Sequence, residues 1–246
     1  MALSGIEILN GSLSLIFVII TVLIALLFLV KYRQYKSKLI LLFGIILLLL
    51  ISSWYASSSS FIIALFNGTG YMTSPQAYFI IGFIPLPIVA FIWSIAFTDL
   101  VYQTKKKIFR MVFGIMGIIM ELIFFILLFI DPKLIGEVIS PIDADYNLFI
   151  TIYQFFLVLY MLITGILFGK ESKKVDDAEI NLKGTLLILA FISFVLGAIL
   201  EILSGLSIVI LIIARLILIS SSFEFYGGFI LPEWMKTLFL RKKLKE

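Results

Sequence analysis

Three ionisable side chains, Glu121, Glu201 and Arg215, stand in the outer halves of stretches that are largely hydrocarbon-like. A guanidinium keeps its proton, so Arg215 must meet a counter-ion, water or a polar ligand rather than lipid. The chemistry this allows is ion pairing or ligand binding. Most other chemistry is closed off by what the chain lacks. It has no histidine and no cysteine, which removes thiol nucleophiles, histidine bases, haem ligation by histidine, disulfides and ordinary zinc sites. Ser52, Ser53 and Ser57 to Ser60 are plentiful hydroxyls, but no histidine activates them and no lysine base lies within an apolar span. Neither aspartate motif of an intramembrane aspartyl enzyme occurs. No enzyme, cofactor or metal is expected.

The elements that must position these residues are membrane helices. Hydrophobic residues make up 62% of the chain and charged residues 14%, against about 25% charged in soluble domains. Hydropathy places spans at residues 12–30, 39–60, 78–101, 108–130, 147–169, 184–203 and 206–230, with a basic amphipathic tail at 232–246. The expected fold is an all-α, seven-transmembrane-helix bundle forming one membrane domain over residues 1–246. The first span reads as a true helix, not a secretory signal, because Glu7 precedes it and its basic cluster follows it.

Of nineteen Lys and Arg, all but two fall at one set of helix ends. Lys31, Arg33, Lys36 and Lys38 fill the first connection, Lys105, Lys106, Lys107 and Arg110 the third, Lys170, Lys173, Lys174 and Lys183 the fifth. Lys236, Arg241, Lys242, Lys243 and Lys245 fill the tail. Lys133 and Arg215 are the exceptions. The positive-inside tendency then puts the N-terminus outside and the C-terminus in the cytoplasm, with the plasma membrane as the expected location. The second connection carries no charge, and the fourth is acidic through Asp131, Glu137, Asp143 and Asp145, with Pro132 and Pro141 as punctuation. The triplets Asn10-Gly11-Ser12 and Asn67-Gly68-Thr69 have the glycosylation pattern and lie on the outer side, close to the bilayer.

Depth and spacing predict which residues meet. Arg215 and Glu121 each lie nine residues from the outer end of their spans, roughly 13 Å down at the helical rise. They are the expected ion pair, with Glu201 as the competing partner. Gly114, Gly117 and Glu121 share one face, as do Ser193, Gly197 and Glu201, so both acids should look toward close helix neighbours. Arg215, Ser222 and Tyr226 share a face of the last span, and Asn147, Thr151 and Gln154 form a polar edge on the fifth. These edges predict an outward-leaning polar pocket lined by Glu121, Glu201, Arg215, Gln154 and Trp93. The alternative is that the charges are structural glue. Pro85 and Pro87 predict a kink in the third span by removing two helical N–H donors.

After the last span, Gly227-Gly228 can loosen the helix and Pro232 can restart one. Trp234, Leu238 and Leu231 are expected to face lipid, with Lys236, Arg241, Lys242, Lys243 and Lys245 toward headgroups or a cytoplasmic partner. This exit, Phe225-Tyr226-Gly227-Gly228-Phe229 followed by Pro232-Glu233-Trp234-Met235, resembles the end of the multi-helix membrane sensing regions of prokaryotic sensor kinases. The resemblance implies an outward-accessible sensing bundle. Only twelve residues follow Trp234, so a signal would pass to a separate protein. Similarity to eukaryotic seven-helix receptors stops at topology, since Asp99-Leu100-Val101-Tyr102 lacks the adjacent arginine. The expected function is a stand-alone sensor or receptor-like protein taking a small ligand from outside. A small-solute or ion transporter subunit and a structural subunit of a larger complex are the alternatives. The expected partners are the bilayer, a cytoplasmic signalling protein and further copies of the chain; short basic loop ends do not indicate nucleic acid.

Overall fold

An apolar segment in lipid must satisfy its backbone internally, and this chain does so with helices apart from one short hairpin. The computed structural model describes residues 3–240. Helix α1, Gly5–Tyr35, starts at a capping box in which Ser4 Oγ accepts from the Glu7 amide and Glu7 Oε2 accepts from the Ser4 amide. It is followed by α2 (Lys38–Leu50), α3 (Ser52–Asn67), α4 (Pro75–Phe83), α5 (Pro85–Leu100) and α6 (Lys106–Ile130). Strands β1 (Gly136–Ser140) and β2 (Asp143–Tyr146) precede α7 (Leu148–Ser172), α8 (Ala178–Ile202), α9 (Ile208–Phe229) and α10 (Glu233–Leu240).

Six helical spans are long and apolar enough to cross a membrane, and α2 with α3, bent by 49° at Ile51, makes a seventh if counted as one broken span. The first and last spans run parallel. Asn10 meets Arg215, Thr21 meets Ser222 and Phe28 meets Tyr226, advancing together along α1 and α9. An odd number of crossings gives this relation. The expected break at the prolines is present as an interruption at Ile84, but α4 and α5 still form one 26-residue span. Pro85 sits at the start of α5, where its missing N–H is tolerated. The larger bend lies one span earlier, beside Ser52, whose Oγ donates to the Gly82 carbonyl at 3.0 Å.

The acidic fourth connection is not a plain loop. It forms an antiparallel hairpin pairing Gly136 with Tyr146 and Val138 with Ala144, an element the all-helical expectation did not contain. The serine run of α3 holds it. Ser57 Oγ donates to the Ile142 carbonyl at 2.7 Å, and Ser60 Oγ donates to the Pro141 carbonyl. Ser58 pairs with Ser14 of α1 at 3.1 Å. These buried hydroxyls clamp one end of the bundle, called here the hairpin end.

At the opposite, basic end, Asp99 binds Lys38 at 2.7 Å and also pairs with Arg110, tying the first and third basic connections together. Arg110 thus approaches Asp99 in space although no arginine adjoins it in sequence. The last helices close over glycines. Gly227 packs on Met235 and Leu186 and Gly228 on Leu187, so this pair tightens the contact with α8 and does not loosen α9. Leu231, expected toward lipid, is 2% exposed and packs with Leu186 and Met235. Trp234 and Leu238 are exposed as expected. Lys236 bridges Glu179 at 3.0 Å and Glu233 at 3.1 Å, and these hydrogen bonds hold its pKa above the usual lysine value. Arg241, Lys242, Lys243 and Lys245 lie outside the described residues.

Helices α7 and α8 touch backbone to backbone at the basic end, where a Cβ on Gly184 would lie 2.7 Å from the Gly169 carbonyl oxygen. Gly184→Ala is therefore expected to destabilise the bundle by ~1–3 kcal/mol through overpacking. A Cβ on Gly205 meets nothing within 4 Å, so Gly205→Ala is the control that should leave detergent melting temperature unchanged. Equal melting of both variants would mean that this contact is not close-packed.

Candidate functional site

Arg215 lies in α9, two turns below the 202–208 turn that joins it to α8. Glu201 stands at the end of α8 on the other side of that turn. Both face the same interface, because Gly197, one turn before Glu201, lets α9 approach until Leu218 fills the place of a side chain. Arg215 Nη2 bonds Glu201 Oε1 at 2.7 Å and donates to Asn10 Oδ1 of α1 at 2.7 Å. At 1% exposure Arg215 is among the largest fully buried side chains. Its Nε and Nη1 have no hydrogen-bond partner among the described residues, and neither has Glu201 Oε2.

These groups line a cavity of about 1010 Å³ at the hairpin end. Asn10, Ser57, Tyr78, Glu201 and Arg215 form its polar end, and the hairpin covers it with Ile142, Asp143 and Tyr146. Thr151 and Gln154 contribute from α7. Further along, the wall becomes apolar through Trp54, Val89, Leu157, Met161 and Phe194. Burial pushes the Asp143 carboxyl above its usual pKa, with Asp145 adding repulsion and Arg215 pulling the other way. The Tyr146 hydroxyl is also pushed up by burial.

The ion pair expected with Glu121 is not formed; the partner is Glu201. Matched depth describes position along the bilayer normal, but α9 packs on α8 and α1 while α6 packs on α5. The Gly114, Gly117 and Glu121 face turns toward α5, with Phe91 opposite Gly114 and Pro87 opposite Gly117. Glu121 does not line the cavity, and both its carboxylate oxygens are buried without a partner among the described residues. Trp93 is also elsewhere: it is fully buried, donates from Nε1 to Thr164 Oγ1 at 2.7 Å, and packs against Phe43, Phe168 and Phe191. Asn147, before α7, ties that helix to the turn preceding β1, its amide side chain donating to the Lys133 carbonyl.

Sequence reasoning missed Asn10 as a site residue. It was legible only as part of a glycosylation triplet, and in the structure its side-chain oxygen is committed to Arg215. The other triplet is a turn, in which Asn67 Oδ1 accepts from the Thr69 and Gly70 amides. Among the described residues no group of three or more acidic side chains could hold a metal ion. The arrangement is instead suited to hydrogen-bonding a polar group while burying an apolar one.

A double-mutant cycle separates the two acids. Arg215→Leu with Glu201→Leu should cost less than the sum of the single changes, with a coupling above the ~0.6 kcal/mol average for polar contacts within membrane bundles. Arg215→Leu with Glu121→Leu should be additive. Unfolding free energies in mild detergent check both, and additivity for Glu201 would dissolve the pair.

No family model, no curated protein and no solved structure matches this chain.

Proposed function

We propose that this chain is a stand-alone seven-helix sensor or receptor-like protein of the plasma membrane, non-catalytic, with its hairpin end outside and its basic end in the cytoplasm. The observation that carries the reading is Arg215, fully buried at the polar end of a large cavity with two donor atoms that no described residue engages. A ligand that takes those donors changes the balance of the Glu201–Arg215 contact, and that contact is one of two ion pairs made along α8 among the described residues. The other is Glu179–Lys236 at the opposite end, which fixes α10. Between them α9 rests on α8 through Gly197, Gly227 and Gly228. A ligand signals only by favouring one arrangement of these helices, and α10 is the surface a cytoplasmic partner would read.

A transport reading draws on Glu121, a carboxylate without a protein partner inside a span and apart from the cavity. Proton flux into liposomes containing this chain alone, abolished by Glu121→Gln, would favour it over sensing.

Orientation is tested first, using the absence of cysteine as a clean background. In intact cells a cysteine at Glu137 should react with a membrane-impermeant thiol reagent, and one at Lys174 only after lysis. The reverse pattern would turn the sensor inside out. Coupling is tested by spin labels at Thr237 and Asp176. Glu201→Gln should shift the distance between them, whereas an unchanged distance would mean that the site and α10 do not communicate.

A further inference from the structure

Resting on the reading of the cavity as a ligand site, we infer that its occupant is a membrane lipid with a phosphoethanolamine-type headgroup, entering sideways between α7 and α8.

The route follows from where these helices touch. They close at the basic end, where Gly165 packs under the Phe191 ring and Gly169 meets Gly184. Between their hairpin-end halves lies the cavity. Ile152 and Phe155 of α7 and Ile199 and Ile202 of α8 line it while also being exposed on the flank of the bundle. Above, the hairpin, whose turn is held by Ser57 and Ser60, and the 202–208 turn, through Ser204 and Gly205, form the rim of the cavity. Between α7 and α8 the accessible face is apolar and meets lipid.

The shape and polarity fit such an occupant. At about 1010 Å³ the cavity is at the top of the ~300–1,000 Å³ range of small-molecule pockets. On α7 its wall runs from Thr151 near the hairpin to Met161 ten residues further in, about 15 Å at the helical rise. Its polar end lies toward the membrane surface and its apolar end toward the middle. A lipid in the leaflet nearest the hairpin has the same polarity and slides in without turning over.

Charge narrows the headgroup. Among the described residues Arg215 is the one cationic side chain on the wall, against Glu201, Asp143 and Asp145. A purely anionic head would satisfy Arg215 and be repelled by the acids. A phosphate beside a primary ammonium complements both signs: the phosphate accepts from Arg215 Nε and Nη1, and the ammonium donates to Glu201 Oε2 and to Asp143. A quaternary choline has no N–H to donate.

The test is native mass spectrometry of the full chain, delipidated in mild detergent and titrated with dioleoyl lipids bearing phosphoethanolamine, phosphocholine or phosphoglycerol heads. One phosphoethanolamine lipid should be retained, roughly tenfold more tightly than either competitor, the effect of about one charge-assisted hydrogen bond. Asp143→Asn should reduce the preference over phosphocholine, by removing one of the two charged acceptors, while leaving Arg215 in place. Ala198→Phe, which fills the apolar part of the cavity, should abolish retention of every lipid. Free phosphoethanolamine should not compete at concentrations where the lipid saturates. Equal retention of the phosphoglycerol lipid, full competition by the free headgroup, or an Ala198→Phe protein that still holds the lipid would each overturn the inference. Lipid retention together with unchanged spin-label distances would sink the sensing role alone, whereas shifted distances without lipid retention would sink the lipid alone.

Discussion

The structure depends on the neutralisation of one permanent charge in a medium that solvates it poorly. Moving an ion of this kind out of water carries an effective penalty of several kcal/mol even after relaxation, so Arg215 is tolerable only while its partners are in place. Those partners come from α8 and α1, and each contact fixes a helix relation. Glu201 sets the α8–α9 crossing beside the glycine contact at Leu218. Asn10 sets the height of α1 against α9, and the same face continues through Thr21–Ser222, at 2.8 Å, to Phe28 and Tyr226. The first and last spans are thereby joined into one parallel layer.

Structural glue and a binding site make different demands on the guanidinium. Glue is most effective when every buried donor is used, since an unsatisfied one costs ~1–3 kcal/mol. Here the protein bonds found are both made by Nη2, and Nε and Nη1 are left without a partner among the described residues at a cavity wall. The Glu201 carboxylate is divided in the same way, with one oxygen bonded and one not. Half of each group orients the pair, and the other half is directed at whatever the cavity contains. The same side chains therefore hold the helices on one edge and present unused hydrogen-bonding atoms to the cavity on the other.

How much of this was legible in the sequence follows from which properties are one-dimensional. Span positions, the clustering of lysines at alternate helix ends and the small-residue faces at Gly117 and Gly197 are all written along the chain as periodicity and composition. The choice between Glu121 and Glu201 is lateral: it depends on which helices are neighbours, and depth alone carries no information on that. Trp93 faces the aromatic core by a similar accident of rotation about the helix axis. Asn10 has no periodic companion that would mark it as a charge partner. The hairpin is two strands of five and four residues in an acidic segment punctuated by prolines, too short for alternation to stand out. The main bend fell at Ile51, beside serines that can hydrogen-bond a neighbouring carbonyl, whereas the prolines were absorbed at a helix start.

The hairpin gives the serine run of α3 a role that composition could not assign. Four successive hydroxyls near the end of an apolar span are costly unless bonded, and each has a partner. Ser57 and Ser60 hold hairpin carbonyls, Ser58 holds Ser14, and Ser59 bonds back to the Tyr55 carbonyl at 2.6 Å. Because the bend at Ile51 reorients α3 relative to α2, these serines are brought under the hairpin instead of continuing the line of the lower helix. The bent span, the serines and the hairpin thus form a single device that roofs part of the cavity at the hairpin end, beside the 202–208 turn, whose Ser204 and Gly205 also line it. Between α7 and α8 the wall reaches the apolar flank of the bundle through Ile152, Phe155, Ile199 and Ile202, so the cavity runs from polar groups beneath the hairpin to apolar ones deeper in the span.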